Sequence, residues 1–220
     1  MGRNLLTTAA ALVALHGLIL AQTRYGTEVS VGAAIPTGTF APVFSTGPEV
    51  NLAFSMGSEP TVGYHLLLGW SRMTLDAEGL TGSADFNPDG GTFEGEGSVN
   101  VYPILIGVRF YPDKPGARPY GLLEAGVFMY SKSFKGGTYT DPTGDVSNLS
   151  SSSSFRAEPG FNAGIGVLIP VADDKSLNLG VRYHLVKDSQ YYNLTPTGST
   201  TTYVGFSQYI GLTAGLDISY

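Results

Sequence analysis

The chain contains no cysteine, so neither a disulfide framework nor a thiolate metal site is possible. Charged residues make up only 14% of its 220 residues, and no run of lysine or arginine occurs. With a formal net charge of −6, this composition argues against nucleic acid as a partner. Beyond the first 21 residues, no stretch approaches the roughly 18 apolar residues of a transmembrane helix. Residues 22–220 are therefore not expected to span a membrane as a helix.

The first residues have the pattern of a secretory signal peptide. Arg3 supplies one positive charge, a short apolar run follows, and the small residue Ala21 ends it. This order predicts export with cleavage after Ala21. An inner-membrane anchor is the alternative, but the apolar run is short for a spanning helix. We therefore expect a signal peptide at 1–21 and one folded domain at 22–220.

The C-terminal stretch Tyr203–Tyr220 alternates between two kinds of side chain. Even positions are mainly apolar, as in Phe206, Ile210 and Leu216, whereas odd positions are small or polar. Such period-2 alternation predicts a β-strand with one apolar face. The stretch is long compared with the usual strand of about five or six residues in soluble sheets. Its length suits a tilted strand that crosses a bilayer.

Seven earlier stretches show the same alternation, which gives eight predicted strands in all. The connections between them alternate between long and short, and the longest are 74–97 and 132–154. An even strand number with long loops at one end is typical of bacterial outer-membrane barrels. The predicted fold is therefore all-β, an eight-stranded antiparallel up-and-down transmembrane β-barrel. The seven earlier strands are Tyr25–Pro36, Gly47–Met56, Thr61–Met73, Ser98–Tyr111, Pro119–Ser131, Phe155–Pro170 and Ser176–Lys187.

Aromatic residues lie near the ends of these predicted strands. Amphipathic rings favour the two interfaces between a membrane and water. The positions predict one girdle at the end that holds both termini and a second at the opposite end. The first contains Tyr25, Tyr111, Tyr120 and Tyr220, and the second contains Trp70 and Tyr130.

The last residues resemble a sorting signal of bacterial outer-membrane β-barrels. Thr213, Gly215, Ile218 and Tyr220 match its pattern, in which a polar residue, a glycine, an apolar residue and a terminal aromatic recur at fixed spacing. This resemblance implies recognition by the barrel-assembly machinery.

Three further segments carry a resemblance to a known family: Tyr25–Phe40, Asn100–Tyr111 and Pro119–Gly126. They are similar to the outer-membrane β-barrel domain family, the OmpA/OmpX-like small barrels or "porin family". The resemblance implies a Gram-negative outer membrane, a surrounding of outer-membrane lipid and both termini in the periplasm. We also expect a monomer whose extracellular loops are available to a partner of unknown identity.

Eight ionisable residues fall on the strand face opposite the apolar one. The interior of an eight-stranded barrel is only just wide enough to be filled by side chains. Because an unpaired buried charge costs several kcal/mol, these residues must pair. We expect a network that plugs the lumen, with a proton- or ligand-linked pathway as the alternative. The residues are Glu28, Glu49, His65, Arg109, Glu124, Arg182, His184 and Asp217.

The chain lacks the motif of the lipid-modifying enzymes that use this scaffold. Lipid A deacylases need a His-x-Ser pair, in which the histidine is the base beside a serine nucleophile. His65 and His184 are each followed by two apolar residues instead. We therefore predict no catalytic residues and no organic cofactor.

One external loop matches a calcium-binding template. Asp85, Asn87, Asp89 and Glu96 occupy positions 1, 3, 5 and 12 of the template, and Gly90 occupies position 6. The surrounding loop contains further acidic residues and would attract a divalent cation. A solvated acidic loop without metal is the alternative, because no helix is predicted on either side.

These observations support four functional hypotheses. The first is an outer-membrane barrel of structural or surface-interaction type, with a filled lumen and no enzymatic activity. The second is passive transport of small or hydrophobic solutes, and the third is a lipid-modifying enzyme. The fourth is a soluble, secreted, lipocalin-like barrel, whose apolar strand face would point inward.

Overall fold

Antiparallel β-strands make up most of the chain that the computed structural model describes, which comprises residues 24–59, 61–83, 87, 90–112, 116–188 and 205–220. The predicted signal peptide lies outside these residues. Among the described residues, no helix is long and apolar enough to cross a membrane. A 3-10 turn, Gly38–Phe40, follows β1, and a short helix α1, Ala77–Gly82, follows β3. The strands are β1 (Arg24–Thr37), β2 (Gly47–Glu59), β3 (Val62–Thr74), β4 (Thr92–Phe110), β5 (Arg118–Thr140), β6 (Val146–Leu149), β7 (Ser152–Ala172), β8 (Lys175–Asp188) and β9 (Gly205–Ser219).

The sheet closes on itself because β9 pairs with β1. Their ladder runs from Gly26 opposite Ser219 to Thr37 opposite Gln208. The remaining barrel strands pair antiparallel in chain order, from β1 through β5 and then β7, β8 and β9. Such a closed ladder lets every strand bond to two neighbours, as hydrocarbon requires. The predicted eight-stranded up-and-down antiparallel barrel is thereby confirmed.

Strands at one end extend further than the sequence pattern predicted. β4, β5 and β7 reach into the segments 74–97 and 132–154, which were predicted to be loops. β6 pairs with the last residues of β5 and lies outside the barrel. The prediction was wrong there because these segments are rich in glycine, serine and threonine, whose side chains give no apolar alternation. Hydrogen bonding along the β4–β5 ladder nevertheless continues to Thr92 opposite Thr140.

The two ends of the barrel differ in their connections. At one end, called the loop end, 38–46 joins β1 to β2, 75–91 joins β3 to β4, and 141–151 with β6 joins β5 to β7. The other end, called the turn end, holds the connections 60–61, 111–117 and 173–174 together with both termini of the barrel. Residues 189–204, between β8 and β9, lie outside the described part of the chain.

Large apolar side chains lie on the outer face of the barrel. Ile106 is 70% exposed and Ile165 is 68% exposed, although both lie within long, fully paired strands. Phe206 and Leu216 on β9 are also exposed, at 49% and 40%. A lipocalin-like barrel would bury these side chains in its interior, so that hypothesis is wrong. The opposite face carries the buried polar residues and points into the lumen.

Two of the aromatic residues assigned to the girdles lie inside the barrel. Tyr25 and Tyr220 are exposed at the turn end, as a girdle requires. Tyr120 and Tyr130 are instead only 4% and 2% exposed. The prediction that Tyr120 and Tyr130 belong to the girdles was wrong. Both share the parity of Glu124 on β5, which sets them on the lumen face.

Closure of the barrel depends on close approach between β1 and β9, and we predict that a methyl group there is not tolerated. A Cβ on Gly32 would overlap the carbonyl oxygen of Leu212 on β9. Gly32→Ala should therefore destabilise the barrel by at least about 1–3 kcal/mol, because the two strands must move apart. The measurement is urea unfolding in lipid vesicles, followed by the mobility difference between folded and unfolded barrel on a gel.

Gly121→Ala is the matched control for this substitution. A Cβ on Gly121 meets no described atom within 4 Å, so the change should stay within about 0.5 kcal/mol. Equal unfolding midpoints for the two variants would show that the β1–β9 contact does not limit stability.

Candidate functional site

The charged residues predicted for the lumen are all buried, each at most 8% exposed. Strand alternation brings them there, since each occupies the inward parity of its strand. They come from seven of the eight barrel strands, and β7 contributes Asn162 beside them. We call this set the lumen network: Glu28, Glu49, His65, Arg109, Glu124, Arg182, His184 and Asp217.

Arg109 makes the shortest ion pair with an arginine in the lumen network. Its Nη2 lies 2.8 Å from Glu28 Oε2 and donates a hydrogen bond to it. Its Nη1 lies 3.9 Å from Asp217 Oδ2. The guanidinium carbon also lies 4.5 Å from the centre of the Tyr120 ring. Arg109 therefore joins two carboxylates from β1 and β9 across the strands that close the barrel.

Arg182 occupies a central position between two carboxylates. Its Nη2 lies 3.9 Å from Glu28 Oε1, and its Nε lies 3.7 Å from Glu124 Oε1. These distances are too long for hydrogen bonds, so charge attraction alone connects the groups. Arg182 is 1% exposed, so little solvent screens this attraction.

Glu124 links the centre of the network to β3 and β7. Its Oε1 lies 2.6 Å from His65 Nε2, and its Oε2 accepts a hydrogen bond of 2.8 Å from Asn162 Nδ2. Each oxygen of this buried carboxylate thus has a partner, as burial of a charge demands.

Glu49 and His184 mark the limit of the charged layer. Asn51 donates a 2.7 Å hydrogen bond to Glu49 Oε1. The His184 ring stacks on Tyr209 with ring centres 4.1 Å apart. Gly211 leaves room for both groups, since a Cβ there would lie 2.6 Å from Glu49 Oε2 and 3.0 Å from His184 Nε2. The absence of a side chain at this position therefore lets acid and imidazole approach each other.

Several buried atoms of the network lack a hydrogen-bond partner among the described residues. They include Glu49 Oε2, both ring nitrogens of His184 and the guanidinium nitrogens of Arg182. The layer therefore retains hydrogen-bonding capacity. A proton- or ligand-linked lumen stays a prediction.

Sequence reasoning missed the uncharged polar residues that support the network, and it missed one further buried cation, Lys132. Tyr120 donates a 2.8 Å hydrogen bond to Asn178 Oδ1 beneath Arg109. Asn51 and Asn162 each donate to a network carboxylate, as described above. Lys132 is also buried, at 8% exposed, with its Nζ 5.6 Å from the Tyr130 ring centre. All of them have the inward parity of their strands, so parity was the signal that could have identified them.

Toward the loop end, large apolar side chains fill much of the lumen, although the buried Lys132 lies opposite Val99 there. Leu67, Leu105 and Phe128 are at most 1% exposed and belong to one packed cluster. The same cluster contains side chains from the loops that fold over the mouth of the barrel. We call these residues, together with Phe93 of β4, the mouth plug: Phe40, Val43, Phe44, Leu80 and Phe93.

Backbone hydrogen bonds hold the mouth plug in place. Asp76 N donates to Val43 O at 2.9 Å, and Ser45 N donates to Thr74 O at 2.8 Å. Asp76 also caps α1, because its Oδ1 accepts a 2.9 Å hydrogen bond from Gly79 N. The first two loops are thus bonded to each other as well as packed.

The predicted calcium loop is only partly described. Asp85 and Asp89 lie outside the described residues. Asn87 is buried, and its Oδ1 accepts a 3.2 Å hydrogen bond from Tyr139. Glu96 pairs with Lys135 at 2.9 Å on the exposed surface. Among the described residues, no group of three or more acidic, histidine or cysteine side chains is placed to hold a metal. Calcium binding stays a prediction.

The residues of the predicted sorting signal lie on β9 and just after it. Thr213 faces the lumen, whereas Tyr220 is 73% exposed. Tyr220 N donates to Tyr25 O at 2.9 Å, so the terminal residue pairs with the beginning of β1. Recognition of this signal by the assembly machinery stays a prediction.

We predict that removing the central cation of the lumen network destabilises the barrel strongly. Arg182→Gln leaves Glu28 and Glu124 without the charge between them, and breaking a buried pair costs about 3–5 kcal/mol. Arg182→Lys should give an intermediate loss because it keeps the charge. The measurement is the free energy of unfolding by urea in lipid vesicles.

Lys175→Gln removes one exposed cation from the same strand and serves as the control. Its unfolding free energy should change by at most about 1 kcal/mol. If Arg182→Gln unfolded at the same urea concentration as this control, the network would not stabilise the fold.

Comparison with known proteins agrees with this architecture. No protein-family model and no curated protein sequence matches the chain. The structure of Neisserial surface protein A matches with 14% identity and a TM-score of 0.52, covering 90% of this chain and 97% of that one. Ail, the attachment invasion locus protein of Yersinia pestis in complex with the heparin analogue sucrose octasulfate, matches with 10% identity and a TM-score of 0.51, covering 90% and 99%. The chain therefore has the fold of the small eight-stranded outer-membrane β-barrels, as the sequence resemblance implied.

Proposed function

We propose that the chain is an outer-membrane barrel of structural or surface-interaction type, without enzymatic activity, that acts through its loop end. The observation that carries the proposal is that buried side chains occupy the lumen at both of its ends. The lumen network occupies it toward the turn end, and apolar side chains with the mouth plug occupy it toward the loop end. Function is then left to the outer surfaces of the molecule.

The outer face of the strands supports insertion into a membrane. On β4, the outward side chains are apolar from Tyr102 to Phe110. They are polar from Asn100 to Thr92, toward the loop end. The apolar part has the length that a tilted strand needs to cross the hydrocarbon, roughly 9–11 residues. Long loops of such barrels face the exterior. We therefore place the loop end outside the cell and both termini in the periplasm.

The filled lumen supports a barrel that does not conduct solutes. An eight-stranded barrel has room only for side chains. Phe40 and Phe44 pack with ring centres 4.5 Å apart in the mouth plug. A passing solute would have to displace this apolar layer and then separate the ion pairs around Arg109 and Arg182.

The surroundings of the histidines support a non-enzymatic role. His65 is bound to Glu124 inside the lumen, and His184 lies between Tyr209 and Phe128. Both are at most 6% exposed, so neither reaches the lipid or the loop end. A lipid-modifying enzyme needs its base at a surface that lipid can reach. Mass spectrometry of lipid A from cells with and without the protein should show no difference.

The extension of β4, β5, β6 and β7 supplies a surface for contact at the loop end. Val146 and Phe155 are 63% and 65% exposed on it. At its apex, Asp141 accepts hydrogen bonds from Thr143 Oγ1 at 2.7 Å and from Asp145 N at 2.9 Å. These bonds, that from Thr143 foremost, lower the pKa of Asp141, so its carboxylate stays ionised to a lower pH than that of an unbonded aspartate. The contribution of these bonds to the turn is lost as the pH falls through this lowered pKa.

The fold is compatible with such a role. The Yersinia pestis protein that shares it is an attachment invasion locus protein, seen bound to a heparin analogue. At 10% identity its binding residues are not transferred to this chain. The comparison supports the class of function and not a particular partner.

We predict that the loop end is accessible from outside intact cells. Because the chain has no cysteine, a single introduced cysteine can be labelled selectively. Thr143→Cys at the apex should react with a membrane-impermeant maleimide on intact cells. Asp174→Cys, in a connection at the turn end, should react only after the outer membrane is permeabilised. The reverse pattern would overturn the orientation.

We also predict that the barrel binds at its surface and does not conduct. Proteoliposomes with the wild-type chain should not swell in arabinose, whereas an open porin used as a positive control should. Intact cells that display the chain should adhere to immobilised matrix proteins. Replacing 141–151 by a two-residue turn should reduce adhesion to the level of cells without the protein. Swelling without adhesion would instead favour passive transport.

A further inference from the structure

A polar groove lies on the outer wall of the barrel, above the apolar band. It lies across β3, β4 and β5 and has a volume of about 220 Å³. It is on the wall and not at the mouth, so its lining side chains point away from the barrel axis. We call it the wall groove, and its polar lining is Arg72, Thr74, Glu96, Ser98, Ser133 and Lys135.

Strand register places the wall groove at the edge of the apolar band. Arg72 lies opposite Asn100, and Ser98 lies opposite both Thr74 and Ser133. One step nearer the turn end, the outward residues are Trp70 and Tyr102. Trp70 Nε1 donates a 3.3 Å hydrogen bond to Asn100 Oδ1. An aromatic ring with a bonded polar edge is typical of the interface between hydrocarbon and headgroups.

The charges of the wall groove leave it with an excess cation. Arg72 is exposed, and no described residue forms an ion pair with it. Lys135 Nζ lies 2.9 Å from Glu96 Oε2, but their side chains are 74% and 78% exposed. Such a solvated pair contributes little, so Lys135 can exchange Glu96 for another anion. Two cations therefore stand beside one acid at the level where lipid headgroups begin.

From this geometry we propose that the wall groove binds the phosphate of an anionic lipid headgroup in the leaflet at the loop end. Arg72 can hold two phosphate oxygens at once, and Lys135 adds a point charge. The hydroxyls of Thr74, Ser98 and Ser133 can donate to the remaining oxygens. The acyl chains of the same lipid would lie along the apolar wall next to Trp70. This second contact favours a lipid over a free phosphate ion.

The chain offers a local probe for this inference, because Trp70 is its only tryptophan. The full-length barrel is inserted into phosphatidylcholine vesicles that contain either brominated phosphatidylcholine or brominated phosphatidylglycerol at equal mole fraction. Bromine quenches the fluorescence of a tryptophan only when the brominated lipid lies beside it, so the measurement is the fluorescence of Trp70. We expect the anionic lipid to bind beside Trp70 about fivefold more strongly than phosphatidylcholine, because one cation near the surface contributes about 1 kcal/mol.

Variants of the wall groove give opposite predicted shifts. Arg72→Gln should abolish the preference for the anionic lipid, and Arg72→Lys should retain part of it. Glu96→Gln should increase the preference, because it removes the acid that competes for Lys135. Lys175→Gln removes a cation at the turn end and should leave the preference unchanged. Gel mobility of each variant confirms that the barrel is folded.

The inference rests on the membrane placement proposed above, and the experiment separates the two. If neither brominated lipid quenches Trp70, the barrel is not in the bilayer and the membrane placement fails. If both lipids quench equally, or Arg72→Gln keeps the preference, the headgroup site alone is overturned. Loss of the preference on addition of millimolar inorganic phosphate would also overturn it, since the groove would then bind the free ion.

Discussion

Backbone hydrogen bonding in the absence of water is the constraint on which this structure depends. Every N–H and C=O group of a strand in hydrocarbon must find a partner within the protein. The ladder between β1 and β9 meets this requirement by closing the sheet, and Tyr25 and Tyr220 continue the pairing to the termini. Closure fixes the side-chain parity of all eight strands at once, because a shift of one residue would turn every side chain to the other face. The division into a lipid face and a lumen face follows from it.

The lumen face buries many charged groups, and these groups compensate one another by pairing. The lumen network places four carboxylates, two arginines and two histidines in the narrow interior of the barrel. Arg109 and Arg182 share Glu28, each near a different oxygen, so one carboxylate joins the two cations. Glu124 joins the second arginine to His65. The stability of the layer thus depends on shared partners, and the loss of one arginine affects several strands together.

Strand parity made much of this structure predictable from the sequence. Contacts between side chains across the lumen could not be predicted in this way. The eight barrel strands and the inward position of the charged residues followed from alternation alone. The pairing of Arg109 with Glu28, 81 residues apart, depends on strand tilt and barrel width, which alternation does not encode. Tyr120 and Tyr130 were misplaced because proximity to a strand end was given more weight than their parity. The strand extensions of β4, β5 and β7 were missed because their small side chains carry no apolar period.

At the loop end, one set of side chains closes the mouth of the barrel and a different set forms the exposed surface. Phe40, Phe44 and Leu80 turn inward and seal the mouth, while Val146 and Phe155 remain exposed on the strand extension. The inward set packs with the barrel core, so substitutions there change stability. The outward set contacts little of the core, so its residues can change without loss of the fold. A barrel built in this way can vary its external surface while the ladder, the lumen network and the mouth plug stay the same.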